Sequence, residues 1–254
     1  MVKTAGDGFE RACVDRQGRS LGAWNAMQVV TAPRALFERI EDAGAYGWAL
    51  ATLLTLVLLV GYAEVQTGLI DRVVDQQTEK ALASLEETQA HLVDRVELRE
   101  RMDDVRKAGE FNKLLRRLGA VVFAPSYLLA SLMFIASILY AVVALTGRKP
   151  EYHTLMSVCV YSGFIVLVGY VVRLVMVACY RTTDVDTSLA MLEAPGKLSA
   201  LSAVDPFRIW FWVLVALGLI VTRQLSRRMG VIVCALMALT AAGVRVAVAL
   251  TVKV

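Results

Sequence analysis

Five stretches of this chain are apolar for longer than most water-soluble folds can hide, and they dictate the solvent. They are residues 46–64 (YGWALATLLTLVLLVGYAE), 119–146, 152–180, 207–222 and 230–250. The second carries no charge, the third is broken by Arg173, and the fifth holds Arg245 near its end. A hydrocarbon core about 30 Å thick takes about 20 helical residues at about 1.5 Å each. Lipid offers the backbone no hydrogen bonds, so a crossing segment is a helix or part of a closed barrel. Continuously apolar runs, rather than alternating ones, select helices. The expected fold is therefore all-α: an integral membrane bundle of five transmembrane helices, the fourth of them short. A long helical insert joins the first two. Composition agrees, since 57% of residues are hydrophobic and the 20% that are charged gather between the runs.

The first run begins near residue 45, too late for the apolar core of a cleavable signal peptide, which falls within about the first 30 residues. Small residues recur in the runs, among them Gly61, Ser131, Ser137, Ser162, Gly163, Gly169, Gly218 and Gly243. In lipid they let helix backbones approach closely. The expected domains are a cytoplasmic segment 1–44, a membrane domain over 45–64 and 119–250, and an extramembrane helical insert over 65–118.

Basic residues set the expected orientation. Lys3, Arg11, Arg16, Arg19, Arg34 and Arg39 precede the first run; Arg148 and Lys149, then Arg223, Arg227 and Arg228, fill two later loops. A five-span chain puts these on one side, which the positive-inside rule makes cytoplasmic. The N-terminus is then inside a cell (inner) membrane and the C-terminus outside. Arg116 and Arg117, beside the second run, weigh against that assignment. Tyr46 and Trp48 at one end, and Trp210 and Trp212 at another, suit the bilayer interface.

Residues 1–20 read as disordered. From Ala32 to Ile40, Leu36, Phe37 and Ile40 alternate with Arg34, Glu38 and Arg39, and Pro33 suits a first helical turn. That pattern predicts a short amphipathic helix on the membrane surface. The insert holds ten Lys/Arg and eleven Asp/Glu, with no Gly or Pro between Gly68 and Gly109. Leu82, Leu85, Leu92 and Val96 fall near one face, and Glu97 precedes Arg101 by one turn. One long helix or two antiparallel ones fit equally. A segment of this length with its own helical pattern usually has a role, so those four residues form a candidate partner-docking face. Covering the chain's own bundle is the plainer use for it.

Charges inside spans are costly and point to function unless they reach the interface. Arg173, Arg245, Glu64 and Asp205 all fall near the expected outer level, where they either form a candidate cluster that pairs the two arginines with the two carboxylates or stand as four separate interfacial residues. Asp205-Pro206 also reads as a helix N-cap followed by proline. No catalytic chemistry stands out. His91 and His153 are far apart, the four cysteines have no metal-ligand spacing, and no HExxH, GxSxG or phosphate-loop motif occurs. The reading is non-enzymatic, with no cofactor, no metal and no nucleic-acid partner.

Three segments carry a resemblance: VVTAPRALFERIEDAGAYGW (29–48), YHTLMSVCVYSG (152–163) and AVDPFRIWFWVLVALGL (203–219). They resemble bacterial members of the Yip family of multi-span membrane proteins, named for relatives that interact with Ypt/Rab GTPases. The positions concerned are Pro33, Tyr161, Ser162, Asp205, Phe207 and Trp210. The resemblance covers about residues 28–250 and implies five spans with a cytoplasmic N-terminus. It also implies a non-catalytic membrane subunit or scaffold that binds another membrane complex, with an ABC-type exporter as one such partner. Two other functions fit the same residues: a self-associating scaffold that organises lipid, and a small-molecule transporter. The partners expected throughout are membrane lipids, with other membrane subunits or a homo-oligomer.

Overall fold

The structure, a computed structural model, describes residues 24–43, 46–89, 95–180 and 205–251, and every regular element among them is helical. In chain order these are α1 (Trp24–Thr31), α2 (Pro33–Ala43), α3 (Gly47–Gln66), α4 (Leu69–Gln89) and α5 (Arg95–Leu118). A π-helical turn (Gly119–Phe123) follows, then α6 (Ala124–Leu145), α7 (Tyr152–Tyr180), α8 (Pro206–Val221) and α9 (Arg227–Thr251). α5, the π turn and α6 form one uninterrupted helix over Val96–Leu145. Each apolar run read from the sequence is helical. Four of these helices are long and apolar enough to cross a membrane. The fifth, α8, has 16 residues, about 24 Å of helix and short of a full hydrocarbon thickness. The N-terminal stretch 1–20 and Leu92 lie outside the described residues.

Glycines stop two of the long helices. Gly68 follows α3 at φ 65° and Gly147 follows α6 at φ 75°. Only glycine takes that left-handed conformation without a Cβ penalty.

The chain divides into two compact units. The first comprises Met1–Leu54, Leu129–Gly169 and Thr187–Val254. Residues 154–165 of α7 are all buried within it. Helices approach one another over glycines, as the small-residue pattern predicts. A Cβ on Gly218 of α8 would lie 2.5 Å from Val158 on α7 and 3.3 Å from Phe37 on α2. α2 therefore differs from the surface helix expected. Leu36 and Phe37 are fully buried and Ile40 nearly so, because this apolar face packs on α8 rather than lying on lipid. Its outer side keeps the Arg34–Glu38 pair at 3.1 Å.

Two turns of this unit are tied together. Arg148 donates to the Arg223 carbonyl at 2.6 Å, and the Glu151 N–H donates to Gln224 at 3.4 Å. Arg223 itself has φ 56°, a conformation uncommon outside glycine. The Tyr46 ring meets His153 edge-on, 4.6 Å between centroids. The start of α3, residues 146–151 and residues 222–226 thus gather at one end of the unit.

The second unit comprises Thr55–Leu128 and Tyr170–Asp186. Here α4 and α5 form an antiparallel pair, the second of the two arrangements the insert's sequence allows. Gly109 of α5 sits against Thr78 of α4 so closely that a Cβ would meet its Oγ1 at 2.7 Å. The Glu97–Arg101 pair forms as spaced, at 2.6 Å. A close backbone contact of this unit joins α3 to the π turn, where a Cβ on Gly61 would stand 2.1 Å from the Ala120 carbonyl oxygen.

Large apolar side chains remain exposed along the spans: Leu58, Leu59 and Tyr62 on α3, Met133 and Phe134 on α6, Leu236 and Leu239 on α9. In water such belts would drive aggregation, whereas in lipid they are the solvated faces.

The Gly61 contact yields a test. Gly61→Ala should destabilise the detergent-solubilised protein by about 1–3 kcal/mol, because a rigid carbonyl cannot yield to the methyl group. Gly243→Ala, where nothing lies within 4 Å, should leave the unfolding temperature unchanged or raise it slightly. Equal unfolding temperatures for the two variants would show that the Gly61 approach is unimportant.

Candidate functional site

Two features of the second unit gather the polar groups that the spans exclude. The first is a half-open cavity of about 140 Å³, lined by Val57, Val60, Gly61 and Glu64 of α3, Ala120 and Ala124, and Tyr170, Arg173 and Leu174 of α7. Glu64 lies 17 residues into α3 and Arg173 21 residues into α7, about 26 and 32 Å of helix rise respectively. Each is therefore near the far end of its span, where charged side chains reach the interface. Among the described residues, neither has an ion-pair partner within 4.0 Å. Glu64 and Arg173 thus face one cavity without closing on each other.

The other two members of the candidate cluster are placed differently. Asp205 caps α8: its Oδ1 accepts from the Phe207 N–H at 3.0 Å, with Pro206 in the first turn. Its second oxygen takes Arg208 at 3.3 Å. The cap is as the sequence predicts, but the charge partner is one turn away rather than Arg173 or Arg245. Arg245 is half-buried on α9.

Of the residues carrying the family resemblance, Pro33 opens α2. Tyr161 and Ser162 are buried on α7. The Ser162 hydroxyl has no hydrogen-bond partner among the described residues. Phe207 packs on Gly169, where a Cβ would stand within about 3.1 Å of its ring carbons. Trp210 is half-exposed on α8. Apart from Trp210, these are packing and capping positions.

The second feature is the α4–α5 hairpin. Asp71 accepts two hydrogen bonds from the Arg117 guanidinium, the Nε contact at 3.0 Å. Lys113 bridges Asp75 at 2.7 Å and Glu110 at 2.8 Å. Arg116 donates to Gln77 at 3.1 Å. The Arg117 hydrogen bonds hold the Asp71 carboxyl below its ordinary 3.8, with the charges of Arg117 and Lys113 helping and burial opposing. Asp75 and Glu110 push the Lys113 ammonium up. A bidentate arginine fixes geometry as well as charge.

Leu82 and Leu85 are half-buried on α4, and Val96 is 73% exposed on α5. A more continuous apolar stripe lies elsewhere. Phe111, Leu114, Leu115 and Leu118 are all exposed on α5, at the i, i+3, i+4, i+7 spacing of one helix face. The sequence carries that spacing, but it sits among Lys113, Arg116 and Arg117 and directly precedes a span, which hides it.

The Yip1 domain family matches this chain over residues 27–249. Membrane protein YknW of Bacillus subtilis (strain 168) is 26% identical over 211 residues, covering 80% of each chain. No solved structure matches the chain significantly.

The Asp71–Arg117 pair makes the hairpin sensitive to acid. A carboxylate whose pKa is depressed by folding adds stability that is complete above its unfolded value and lost as pH falls through the folded one. Protection of α4 and α5 backbone amides, read by hydrogen exchange, should hold down to about pH 4 and fall below it, since 3.8 is the unfolded reference. Asp71→Asn should lower protection at neutral pH by up to about 1 kcal/mol, the scale for a half-exposed pair. It should also flatten the acid response; an unchanged profile would refute the pair's role.

Proposed function

This chain belongs to the Yip1 domain family of membrane proteins, and on that premise we propose that it is a non-catalytic subunit that docks another membrane protein complex. The observation that carries this reading is the exposed stripe Phe111–Leu114–Leu115–Leu118 on a hairpin braced by Asp71–Arg117 and Asp75–Lys113. A rigid helix pair presenting aromatic and aliphatic side chains beside charged ones has the composition of an interface centre. A preorganised surface also loses less entropy on binding. The stripe leads directly into α6, so its partner meets it next to the bilayer. An ABC-type exporter is the partner class that the family resemblance supports.

In this reading the chain crosses a cell (inner) membrane five times. α8 serves as the short crossing, with the bilayer thinned or its ends snorkelling. Arg148, Lys149, Arg223, Arg227 and Arg228 gather with residues 146–151 and 222–226 on the cytoplasmic side, with the N-terminus. The α4–α5 hairpin and the C-terminus lie outside. The cavity at Glu64 and Arg173 is near the end of its spans rather than at mid-depth, which weighs against a transport route of the usual kind.

Phe111→Glu with Leu115→Lys tests the assignment. Both side chains are exposed, so the unfolding temperature in detergent should stay within about 1 °C while copurifying subunits fall roughly tenfold or more, the scale of an interface hot spot. Retention of the full complement of subunits by the double variant would contradict the docking role. A lone homo-oligomer in native membranes would instead favour the self-associating scaffold.

A further inference from the structure

The cavity in the second unit has a chemistry that the docking role does not use. Its walls are apolar: Val57 and Val60 on α3, Ala120 and Ala124 at the π turn, Leu174 on α7. Its polar groups are one carboxylate, Glu64, one guanidinium, Arg173, and the Tyr170 phenol. It lies at the end of the spans, where hydrocarbon gives way to headgroups. A π turn on its wall is a feature often found at functional sites. Two opposite charges share this cavity, Arg173 exposed and Glu64 half-buried, and neither takes an ion-pair partner within 4.0 Å among the described residues, so both can meet a ligand that enters from the bilayer interface.

The volume limits what that can be. About 140 Å³ accommodates a group the size of benzene, not a whole lipid. The ligand must bring a negative group for a forked guanidinium and a positive one for a carboxylate, a few ångströms apart, on a body that tolerates apolar walls. We propose that this cavity holds the phosphate–ammonium headgroup of an aminophospholipid. Arg173 takes the phosphate oxygens, since its planar fork matches them, with Tyr170 as a further donor. Glu64 accepts from the primary ammonium. The acyl chains leave past half-buried Leu174 into the bilayer. A trimethylated ammonium has no N–H to give Glu64 and is bulkier, and a glycerol headgroup has no positive charge.

Native mass spectrometry of the full chain in detergent tests this directly. The probes are phosphatidylethanolamine, phosphatidylcholine and phosphatidylglycerol with identical palmitoyl and oleoyl chains. The wild-type protein should retain one phosphatidylethanolamine roughly tenfold more tightly than the other two, the scale of one charge-assisted hydrogen bond. Arg173→Gln should abolish that retained lipid, while Arg173→Lys should keep part of it. Glu64→Gln should leave phosphatidylethanolamine and phosphatidylcholine bound equally. The wild-type comparison needs no variant to fold. Equal retention of all three lipids by the wild-type chain would overturn the proposal. So would unchanged selectivity in both Arg173→Gln and Glu64→Gln. Soluble glycerophosphoethanolamine displacing the lipid at equal concentration would overturn the lipid assignment in favour of a free zwitterion; failure to displace it supports the lipid.

Discussion

Everything in this molecule follows from a solvent that cannot hydrogen-bond a backbone. A helix satisfies its peptide groups internally, so each apolar run becomes one. The same solvent removes the hydrophobic drive between helices, leaving close packing as the main attraction. That is why glycines stand at the contacts: Gly218 under Val158 and Phe37, Gly163 against Leu53 and Leu132, Gly61 against the Ala120 carbonyl. It also explains why leucines and phenylalanines on α3, α6 and α9 are exposed without harm.

Exclusion of charge from the hydrocarbon concentrates electrostatics where the helices end. Arg148 and Gln224 tie two turns together. Asp71, Asp75, Lys113 and Arg117 brace a hairpin. Glu64 and Arg173 face one cavity. The docking surface and the headgroup site we propose both draw on such polar groups of the second unit. They use different residues, so either could fail without the other.

The apolar runs were legible in the sequence because their signal is local: twenty uncharged residues mean the same thing whatever they pack against. The Asp205–Pro206 cap and the Glu97–Arg101 pair were legible for the same reason, since each is settled within one turn. Long-range choices were not. Asp71 and Arg117 are 46 positions apart, and nothing in either segment names the other. The candidate arginine–carboxylate cluster assigned partners by depth alone, and for Asp205 the neighbouring Arg208 has the shorter path. The inward turn of α2 depends on Gly218 offering a flat place for Phe37, and the π turn at residues 119–123 leaves no mark on composition.

The topology proposed above has α6 carry the chain across the bilayer, so that residues before and after this helix meet opposite compartments. Cysteine labelling with a membrane-impermeant maleimide tests it, in a background with the four native cysteines replaced. Ser84→Cys should react on intact cells, while Lys149→Cys and Ser226→Cys should react only after the membrane is opened. Reaction of Ser84→Cys and Lys149→Cys from the same side would leave the apolar run between them uncrossed and contradict the account.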